Sequence, residues 1–431
     1  MLTKFVVLAI FAIVMYFVIT GKINKTIVAM AGGLLLLLVR IFPNPYEGLQ
    51  ETIDINTLLF LVGMMIFVRV MEESGIFQYL AIRTVKVAGA KPANLLFALT
   101  FIVALVSSFI DNVTTILIFI PVTFAITDIL LINPTPFVIA EIFASNIGGT
   151  MTPIGDPPNI LITSAAKIPF LEFALYMVPI NLIILLLMDL AFILMSGKDF
   201  RKEVPREFID SFDESKAIQN KGRFIASSIF LVTVIVLFLL QKQLNLESSI
   251  ISLMAGFFSL LIFERKEIEP FLSKVEWEVI FFFLGLFIIT GAMEKVGIMN
   301  DIAKFLVDVS QGSRVMLASM LVWISGIVSG FIDNIPFAAT MIPVIKQLPQ
   351  INPDAFSNIQ PFWYALSLGV CLGGNLTPVG ASANVVGLSL LKKHKGIDVS
   401  FKDFIKFGSI AVAISLALSN VYMLLLLEIM K

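Results

Sequence analysis

The sequence has one cysteine, one histidine and few charged residues. Cys371 alone forms no intrachain disulfide and no cysteine-based metal site. His394 stands in a lysine-rich loop, where it is a poor candidate for a proton relay inside a membrane. The sequence also shows no nucleophile–base pair and no phosphate-binding loop of the Gly-x-x-x-x-Gly-Lys-Ser/Thr type. These absences argue against an enzyme and leave any proton coupling to carboxylates.

Charged residues make up 14% of the 431 residues, against about 25% in an average soluble domain. Hydrophobic residues make up 58%, and apolar runs near 20 residues, long enough to cross a bilayer core of about 30 Å, recur along the chain. The first run, residues 5–20, has no small-residue cleavage site after it, so we interpret it as a span rather than a signal peptide. We predict an all-α polytopic membrane protein. The lack of a transit peptide favours a prokaryotic inner membrane, and the lack of a basic cluster gives no sign of nucleic-acid binding.

One motif occurs twice inside apolar sequence, as SFIDNVTTILIFIPV at 108–122 and GFIDNIPFAATMIPV at 330–344. Asp111 and Asp333 are 222 positions apart, and the same shift relates GMMIFVRVMEESG at 63–75 to GLFIITGAMEKVG at 285–297. A third pair, GGTMTPIG at 148–155 and GGNLTPVG at 373–380, is shifted by 225. Three matched blocks in one order predict a transporter built from two internal repeats.

The one long polar stretch, 197–222, is predicted to be a linker between a first membrane repeat, 1–196, and a second, 223–431. If each Asp-Asn pair is the tip of a re-entrant hairpin, each repeat has five spanning helices, one hairpin and one interrupted helix. Five is odd, so the second repeat is inverted relative to the first. Lysine and arginine are denser in the loops on the linker side, which predicts a cytoplasmic linker and both termini outside.

Glycine and proline cluster where each repeat has its predicted helix break; the break residues are Gly148, Gly149, Pro153, Gly155, Gly373, Gly374, Pro378 and Gly380. A break inside a membrane frees carbonyls for a cation and helix N-termini for an anion. The predicted substrate-binding residues are Asp111, Asn112, Thr114, Asn146, Thr150, Thr152, Asp333, Asn334, Asn375 and Thr377. The predicted cation- or proton-coupling residues are Asp111, Asp156, Asn159, Asp333 and Asn384.

This ligand set is rich in oxygen and amide groups, which suits Na⁺ or a small oxygen-bearing solute and not a soft metal. The predicted Na⁺ positions are Asp111 with residues 148–159 and Asp333 with residues 373–384; beyond Na⁺ or H⁺ as coupling ion, no cofactor is predicted. Each of these features also has a purely structural interpretation. Gly and Pro often serve only packing or kinks in membrane helices, and the Asp-Asn pairs are good helix caps. Their duplication at matched positions favours a site.

The tip Asp111-Asn112-Val113-Thr114-Thr115, the break SNIGGTMTPIGDPPN at 145–159 and the second tip Asp-Asn-Ile-Pro resemble the ion transporter superfamily. The branch with this citrate-transporter-like domain holds arsenite permeases, NhaD-type Na⁺/H⁺ antiporters and the melanosomal P protein. The resemblance implies two re-entrant hairpins and two interrupted helices around a central site. It also implies a homodimer with an elevator mechanism, and arsenite permeases can work with a separate ATPase subunit.

This sequence departs from the dicarboxylate branch, in which Ser-Asn-Thr signatures at both tips bind substrate carboxylates and Na⁺. Asp-Asn-Val and Asp-Asn-Ile stand in those places here, and two tip carboxylates would repel a dicarboxylate. They suit a cation, a neutral solute such as arsenous acid whose transport is coupled to protonation, or an anion accompanied by cations. Asp156 is an extra acid, because its counterpart in the second repeat is Ala381.

The leading prediction is a secondary active transporter, symporter or antiporter, that moves a small inorganic ion or oxyacid, in the manner of an arsenite or anion permease, coupled to H⁺ or Na⁺. The alternatives are a Na⁺/H⁺ antiporter, a passive anion channel like the P protein, or the membrane subunit of a larger machine. The aspartates are expected to load protons or Na⁺. The residues expected to shape the substrate site are Asn112, Asn334, Thr152 and Thr377.

Overall fold

The computed structural model describes residues 2–89, 91–195, 214–265 and 267–430, and within those ranges it is helical with short connections and no strand. The helices before the linker are α1 (Leu2–Thr20), α2 (Lys25–Leu38), α3 (Pro45–Thr52), α4 (Ile55–Glu72), α5 (Ile76–Ala88), α6 (Pro92–Ser107), α7 (Asn112–Leu130), α8 (Thr135–Thr150), α9 (Pro157–Ala166) and α10 (Phe170–Met195). A 3₁₀ turn, Glu214–Ala217, precedes the second set. That set is α11 (Lys221–Leu239), α12 (Gln241–Leu244), α13 (Ser248–Phe263), α14 (Glu269–Leu272), α15 (Trp277–Lys295), α16 (Ile298–Val309), α17 (Arg314–Ser329), α18 (Asn334–Ile351), α19 (Pro353–Phe356), α20 (Gln360–Gly373), α21 (Ser382–Lys395) and α22 (Phe401–Ile429).

Seven of the described helices are long and apolar enough to cross a membrane: α1, α4, α7, α10, α11, α15 and α22. Shorter apolar helices, α2, α6 and α13, accompany them, and α16 meets α17 at a bend of 118°. The prediction of an all-α polytopic membrane protein is confirmed. The predicted linker, 197–222, lies mostly outside the described residues, so the predicted domain boundaries stay a prediction.

Each Asp-Asn pair lies at the tip of a helical hairpin. In the first hairpin α6 ends at Ser107 and α7 begins at Asn112, and the Asp111 carboxylate accepts a hydrogen bond from the Thr114 backbone N–H at 2.8 Å. In the second, the Asp333 carboxylate accepts from the Ile335 N–H at 3.2 Å. Both aspartates therefore cap the arm that follows them, which leaves the rest of the carboxylate for another partner.

Each interrupted helix is bridged across its break by one asparagine. Residues 151–156 separate α8 from α9, and Asn159 Nδ2 donates to the carbonyl oxygens of Gly149 at 3.0 Å and Thr152 at 3.1 Å. Residues 374–381 separate α20 from α21, and Asn384 Nδ2 donates to the carbonyls of Gly374 and Thr377, both at 2.8 Å. These bonds satisfy backbone carbonyls near each break, where the regular hydrogen bonding of the helix is interrupted.

Two helix pairs join the halves. α4 packs along α13 and α2 along α15, so each pair takes one helix from either side of the linker. A Cβ on Gly63 would lie 2.4 Å from the Ser252 carbonyl carbon, and a Cβ on Gly285 would lie 2.5 Å from that of Ala29. Small residues let these backbones touch, which is how helices associate in membranes. We call these four helices the scaffold.

Ion pairs mark the two ends of the scaffold. Arg83 and Arg223 bind Glu214 and Glu73 at 3.1 and 3.4 Å on the side next to the linker, which we call the linker face. Lys295 binds Glu51 at 3.6 Å and Lys4 binds Asp301 at 2.7 Å on the opposite side, the terminal face. α4 joins the two faces, and its 18 residues span about 27 Å.

The direction of α15 follows from these pairs. Its C-terminal Lys295 lies at the terminal face, so its N-terminal end lies at the linker face. There Asn24 Nδ2 donates to Glu278 Oε1 at 2.5 Å, which places the first turn of α2 beside the first turn of α15.

Candidate functional site

Both hairpin tips and the start of α9 meet at one cavity of about 210 Å³. Its polar and charged lining comes from Lys25, Asp111, Asn112, Asp156, Glu276, Asn334 and Ser382, and methionine, valine and phenylalanine side chains of the scaffold complete its wall. Lys25 and Glu276 stand at the N-terminal ends of α2 and α15, so the cavity lies on the linker-face side of the tips. Two predicted tips and one predicted break thus converge on one space.

Asp156 connects the first break to the second tip. Asn334 Nδ2 lies 3.2 and 3.4 Å from the two carboxylate oxygens of Asp156, whose side chain is almost fully buried. The counterpart of Asp156 in the second half is Ala381, which cannot make this contact from the other side. The carboxylate that joins the two halves at the cavity is therefore present once.

Lys25 binds the second tip directly. Its Nζ lies 2.6 Å from Asp333 Oδ2, and it also lies 5.1 Å from the centre of the Phe282 ring. Among the described residues that line the cavity, Lys25 is the single base, against the carboxylates of Asp111, Asp156 and Glu276. The described part of the chain gives Asp111 no ion pair, so the two tip aspartates differ in their partners.

Lys25 and Glu276 are site residues that the sequence analysis missed. Neither residue lies in a repeated motif, so the sequence analysis predicted no role for them in the site. The repeat shift of 222 held a signal for Glu276, because it pairs Glu276 with Asp54, and both acids directly precede a scaffold helix.

Four asparagines form a buried chain beneath the cavity. Asn112 Nδ2 donates to Asn146 Oδ1 at 2.9 Å, and Asn146 Nδ2 donates to Asn375 Oδ1 at 2.7 Å and to Asn384 Oδ1 at 2.9 Å. The Nδ2 of Asn375 is buried and has no partner among the described residues. The chain links the first tip to both interrupted helices and leaves one amide donor for a ligand or a water molecule.

The threonines predicted to bind substrate make hydrogen bonds with the backbone, and their contact with substrate stays a prediction. The Thr152 hydroxyl donates to the Ser108 carbonyl, and the Thr377 hydroxyl donates to the Gly330 carbonyl at 2.6 Å, so each break is tied to its own hairpin tip. The Thr150 hydroxyl donates to the Asn146 carbonyl within α8. Thr114 supplies the N–H that Asp111 caps and does not line the cavity.

Part of the predicted break is wrong in position. Gly148, Gly149 and Gly373 lie in the last turns of α8 and α20, and the helices break only after them. Their small size serves close packing: a Cβ on Gly148 would lie 2.2 Å from the Ala104 carbonyl oxygen, and one on Gly373 would lie 2.2 Å from that of Gly326. The remaining predicted break residues, Pro153, Gly155, Gly374, Pro378 and Gly380, lie in the non-helical segments.

The lone thiol lies beside the first break. Cys371 Sγ lies 3.4 Å from Asn159 Oδ1, which also accepts the Ser367 hydroxyl at 2.6 Å. Within the described ranges no group of three or more His, Cys, Asp and Glu side chains is arranged to hold a metal ion.

Comparisons with known proteins agree with this arrangement. The Alcanivorax borkumensis YdaH transporter has a similar fold, with a TM-score of 0.62 and 12% identity over 91% of this chain and 88% of that one. This similarity confirms the predicted fold of paired hairpins and interrupted helices.

Curated relatives cover the whole described architecture. An uncharacterized transporter of Mycobacterium tuberculosis is 36% identical over 97% of both chains. The human P protein is 30% identical over 96% of this chain, which spans 59% of the length of the P protein. The family model described as citrate transporter matches residues 15–369. The chain therefore belongs to the citrate transporter family, within the ion transporter superfamily, and is a multi-pass membrane transporter.

Proposed function

We propose that this protein is a secondary active transporter that moves a small inorganic ion or oxyacid, coupled to H⁺ or Na⁺. The observation that carries the proposal is the single cavity where both tips meet, lined by three carboxylates and one lysine. Ionisable groups buried at membrane depth are costly and mark ion pathways. Asp111, Asp156 and Asp333 load the coupling ion, and Asn112 and Asn334 orient the substrate beside them.

The charges of the cavity set the order of binding. With Asp333 neutralised by Lys25, the carboxylates of Asp111, Asp156 and Glu276 leave the lining acidic. A bare anion, including the citrate that names the family, is repelled until protons or cations have bound. The coupling ion therefore binds first, and an oxyacid binds with it or after it.

Oxygen donors are available for Na⁺ in this cavity. The Asp111 and Asp156 carboxylates supply hard oxygen ligands, as Na⁺ requires. The break carbonyls of Gly149, Thr152, Gly374 and Thr377 already accept asparagine amides, and each retains a second lone pair. The Na⁺ position that we propose is the cavity between Asp111 and Asp156, with the breaks in a supporting role.

Alternating access follows from the two-part construction. The hairpins and interrupted helices pack together around the asparagine chain and form one transport unit, while the four scaffold helices pack in two pairs, each with one helix, α4 or α15, long enough to cross a membrane. We propose an elevator movement of the transport unit along the scaffold, in a homodimer held in the cell inner membrane with the linker in the cytoplasm.

Purified protein in liposomes that enclose a pH-sensitive dye tests the proposal. Na⁺, Li⁺, chloride, arsenite and citrate are added one at a time, with and without an opposing pH gradient. A proton flux that one solute drives at a fixed stoichiometry supports a coupled transporter. A flux from Na⁺ or Li⁺ alone would identify a Na⁺/H⁺ antiporter. Current through the membrane without dependence on an opposing gradient would replace the proposal with a passive channel.

A further inference from the structure

The scaffold places a lysine on a carboxylate of the transport unit. Lys25 begins α2, Asp333 caps the second hairpin, and the ion pair of 2.6 Å between them is the direct salt bridge joining scaffold and tip within the described residues. Both side chains are mostly shielded, with 30% and 20% of their surfaces exposed. An ion pair in such a position is screened less than one on an open surface.

Within the described residues this contact exists on one side only. Asp333 corresponds to Asp111, and the matched contacts of Gly63 with Ser252 and of Gly285 with Ala29 align α2 with α13 at a shift of 223, so Lys25 corresponds to Ser248, the first residue of α13. Ser248 and Glu247, which directly precedes it, line a separate cavity with Lys167, Lys242 and Asn56, next to the N-terminal end of α4. If the transport unit moves to the terminal face, inverted symmetry brings the first tip to a serine where the second tip now meets a lysine.

We propose that Lys25 is a tethered counter-ion, which neutralises Asp333 while the cavity is open on the linker face and has to be displaced before a coupling ion can bind Asp333. This inference rests on the proposed function and names the group that regulates it. One ammonium and one Na⁺ or proton compete for the same carboxylate, so binding of the ion breaks the bond between scaffold and tip. The transport unit is thereby released only when it is loaded.

The charges around Lys25 fit this role. Asp111, Asp156 and Glu276 line the same cavity and give a displaced ammonium other acids to approach. Phe282 supports the lysine stem from the side of α15. The displaced state therefore leaves no isolated buried charge, which would otherwise be strongly unfavourable.

The test reads the conformation rather than transport. Ser382 lines the cavity and is exposed, so S382C reacts with a membrane-impermeant maleimide when the cavity is open to the linker face. Wild-type protein, whose single Cys371 is buried, gives the background labelling. We expect K25Q to lower the labelling rate of S382C at least about fivefold, because the scaffold no longer holds the tip on this face. K22Q is the matched control, since Lys22 lies three positions away and, within the described part of the chain, binds Tyr16 and no carboxylate.

One further variant separates this inference from the proposed function. The exchange K25D/D333K restores an ion pair of opposite polarity, and it should restore S382C labelling to within about twofold of the parent, while coupled flux is lost because no carboxylate remains at position 333. Unchanged labelling in K25Q, or labelling in K25D/D333K that is as slow as in K25Q, would overturn the tethered counter-ion. Elution of each variant at the parent position in size-exclusion chromatography shows that it is folded. Absence of coupled flux in liposomes that contain the wild-type protein would instead overturn the proposed function, and the labelling result would still hold.

Discussion

The two hairpin tips have the same sequence core, Phe-Ile-Asp-Asn, and different chemical surroundings. Asp333 is neutralised by Lys25 of the scaffold, and its neighbour Asn334 donates to Asp156. Asp111 has no basic partner in the described part of the chain, and its neighbour Asn112 donates to another amide, that of Asn146. The two halves share the frame and differ at Lys25, which corresponds to Ser248, and at Asp156, which corresponds to Ala381. These differences give the second tip a charged contact and leave the first tip with a carboxylate that has no basic partner among the described residues.

The largest effect should come from the acid that occurs once. Asp156→Asn should lower coupled flux about 100-fold, because it removes the charge that Asn334 stabilises and that a coupling ion would bind. The measurement is initial flux in the dye-filled liposomes. Asp189→Asn is the matched control: Asp189 is equally buried but lies in α10 and binds the Thr100 hydroxyl at 2.7 Å. Equal losses in both variants would assign the effect of Asp156 to burial rather than to the site.

Removal of the charge of Asp111 at the first tip and removal of the charge of Lys25 beside the second tip should shift the affinity for the coupling ion in opposite directions. Asp111→Asn should raise the half-saturating concentration of the coupling ion about tenfold, because one of its carboxylate ligands is removed. Lys25→Gln should lower that concentration by a similar factor, because the competing ammonium is gone. Titrations of Na⁺ and of pH in the same liposomes measure both shifts. Shifts of the same sign in the two variants would show that the tips are equivalent.

The two halves can also be compared in stability, at the position of Asn146 in the chain of four asparagines. Asn146 corresponds to Cys371 in the second half. Asn146→Ala removes three hydrogen bonds between buried amides, so we expect roughly 3 kcal/mol of destabilisation. Cys371→Ala removes only weak thiol contacts, among them the one with Asn159 Oδ1, and should cost roughly 1 kcal/mol. Thermal unfolding of the purified variants in detergent ranks the two, and a Tm for Asn146→Ala at or above that of Cys371→Ala would contradict the assigned chain.

The smallest difference between the halves should come from the two packing glycines. Gly148→Ala and Gly373→Ala each place a methyl group 2.2 Å from a carbonyl oxygen of the hairpin arm, and each should cost roughly 2 kcal/mol. Gly222→Ala is the control, because its methyl group would meet Asn220 Oδ1 at an ordinary 3.4 Å. A difference between Gly148→Ala and Gly373→Ala as large as either effect would show that the two hairpins pack unequally.

Much of the fold could be predicted from the sequence, because the lengths of the apolar segments and the repeated motifs indicate it. The hairpins, the interrupted helices and the position of Asp156 beside the tips all follow from residues that are close in sequence or matched by the repeat. Gly148 and Gly149 were assigned to the wrong task because a glycine that breaks a helix and a glycine that permits close packing have the same sequence signature.

Contacts between distant elements could not be predicted. Lys25 meets Asp333 only because α2 packs along α15, and the bond from Asn146 to Asn375 depends on how α8 and α20 approach each other. Thr152 and Thr377 lie within the breaks in either interpretation, so the sequence could not show that their hydroxyls donate to the Ser108 and Gly330 carbonyls.

The pairing of scaffold helices from the two halves of the chain also constrains biosynthesis. α4 meets α13 at Gly63 and Ser252, so this contact cannot form until the ribosome has added a further stretch of nearly half the chain after Gly63. At about 5–20 residues per second the ribosome leaves α4 without its partner for roughly 10–40 seconds. During that time the exposed backbone groove at Gly63 depends on lipid or an insertion chaperone. Two halves cut within the linker and expressed together should therefore assemble into one protein, whereas either half made alone should be degraded.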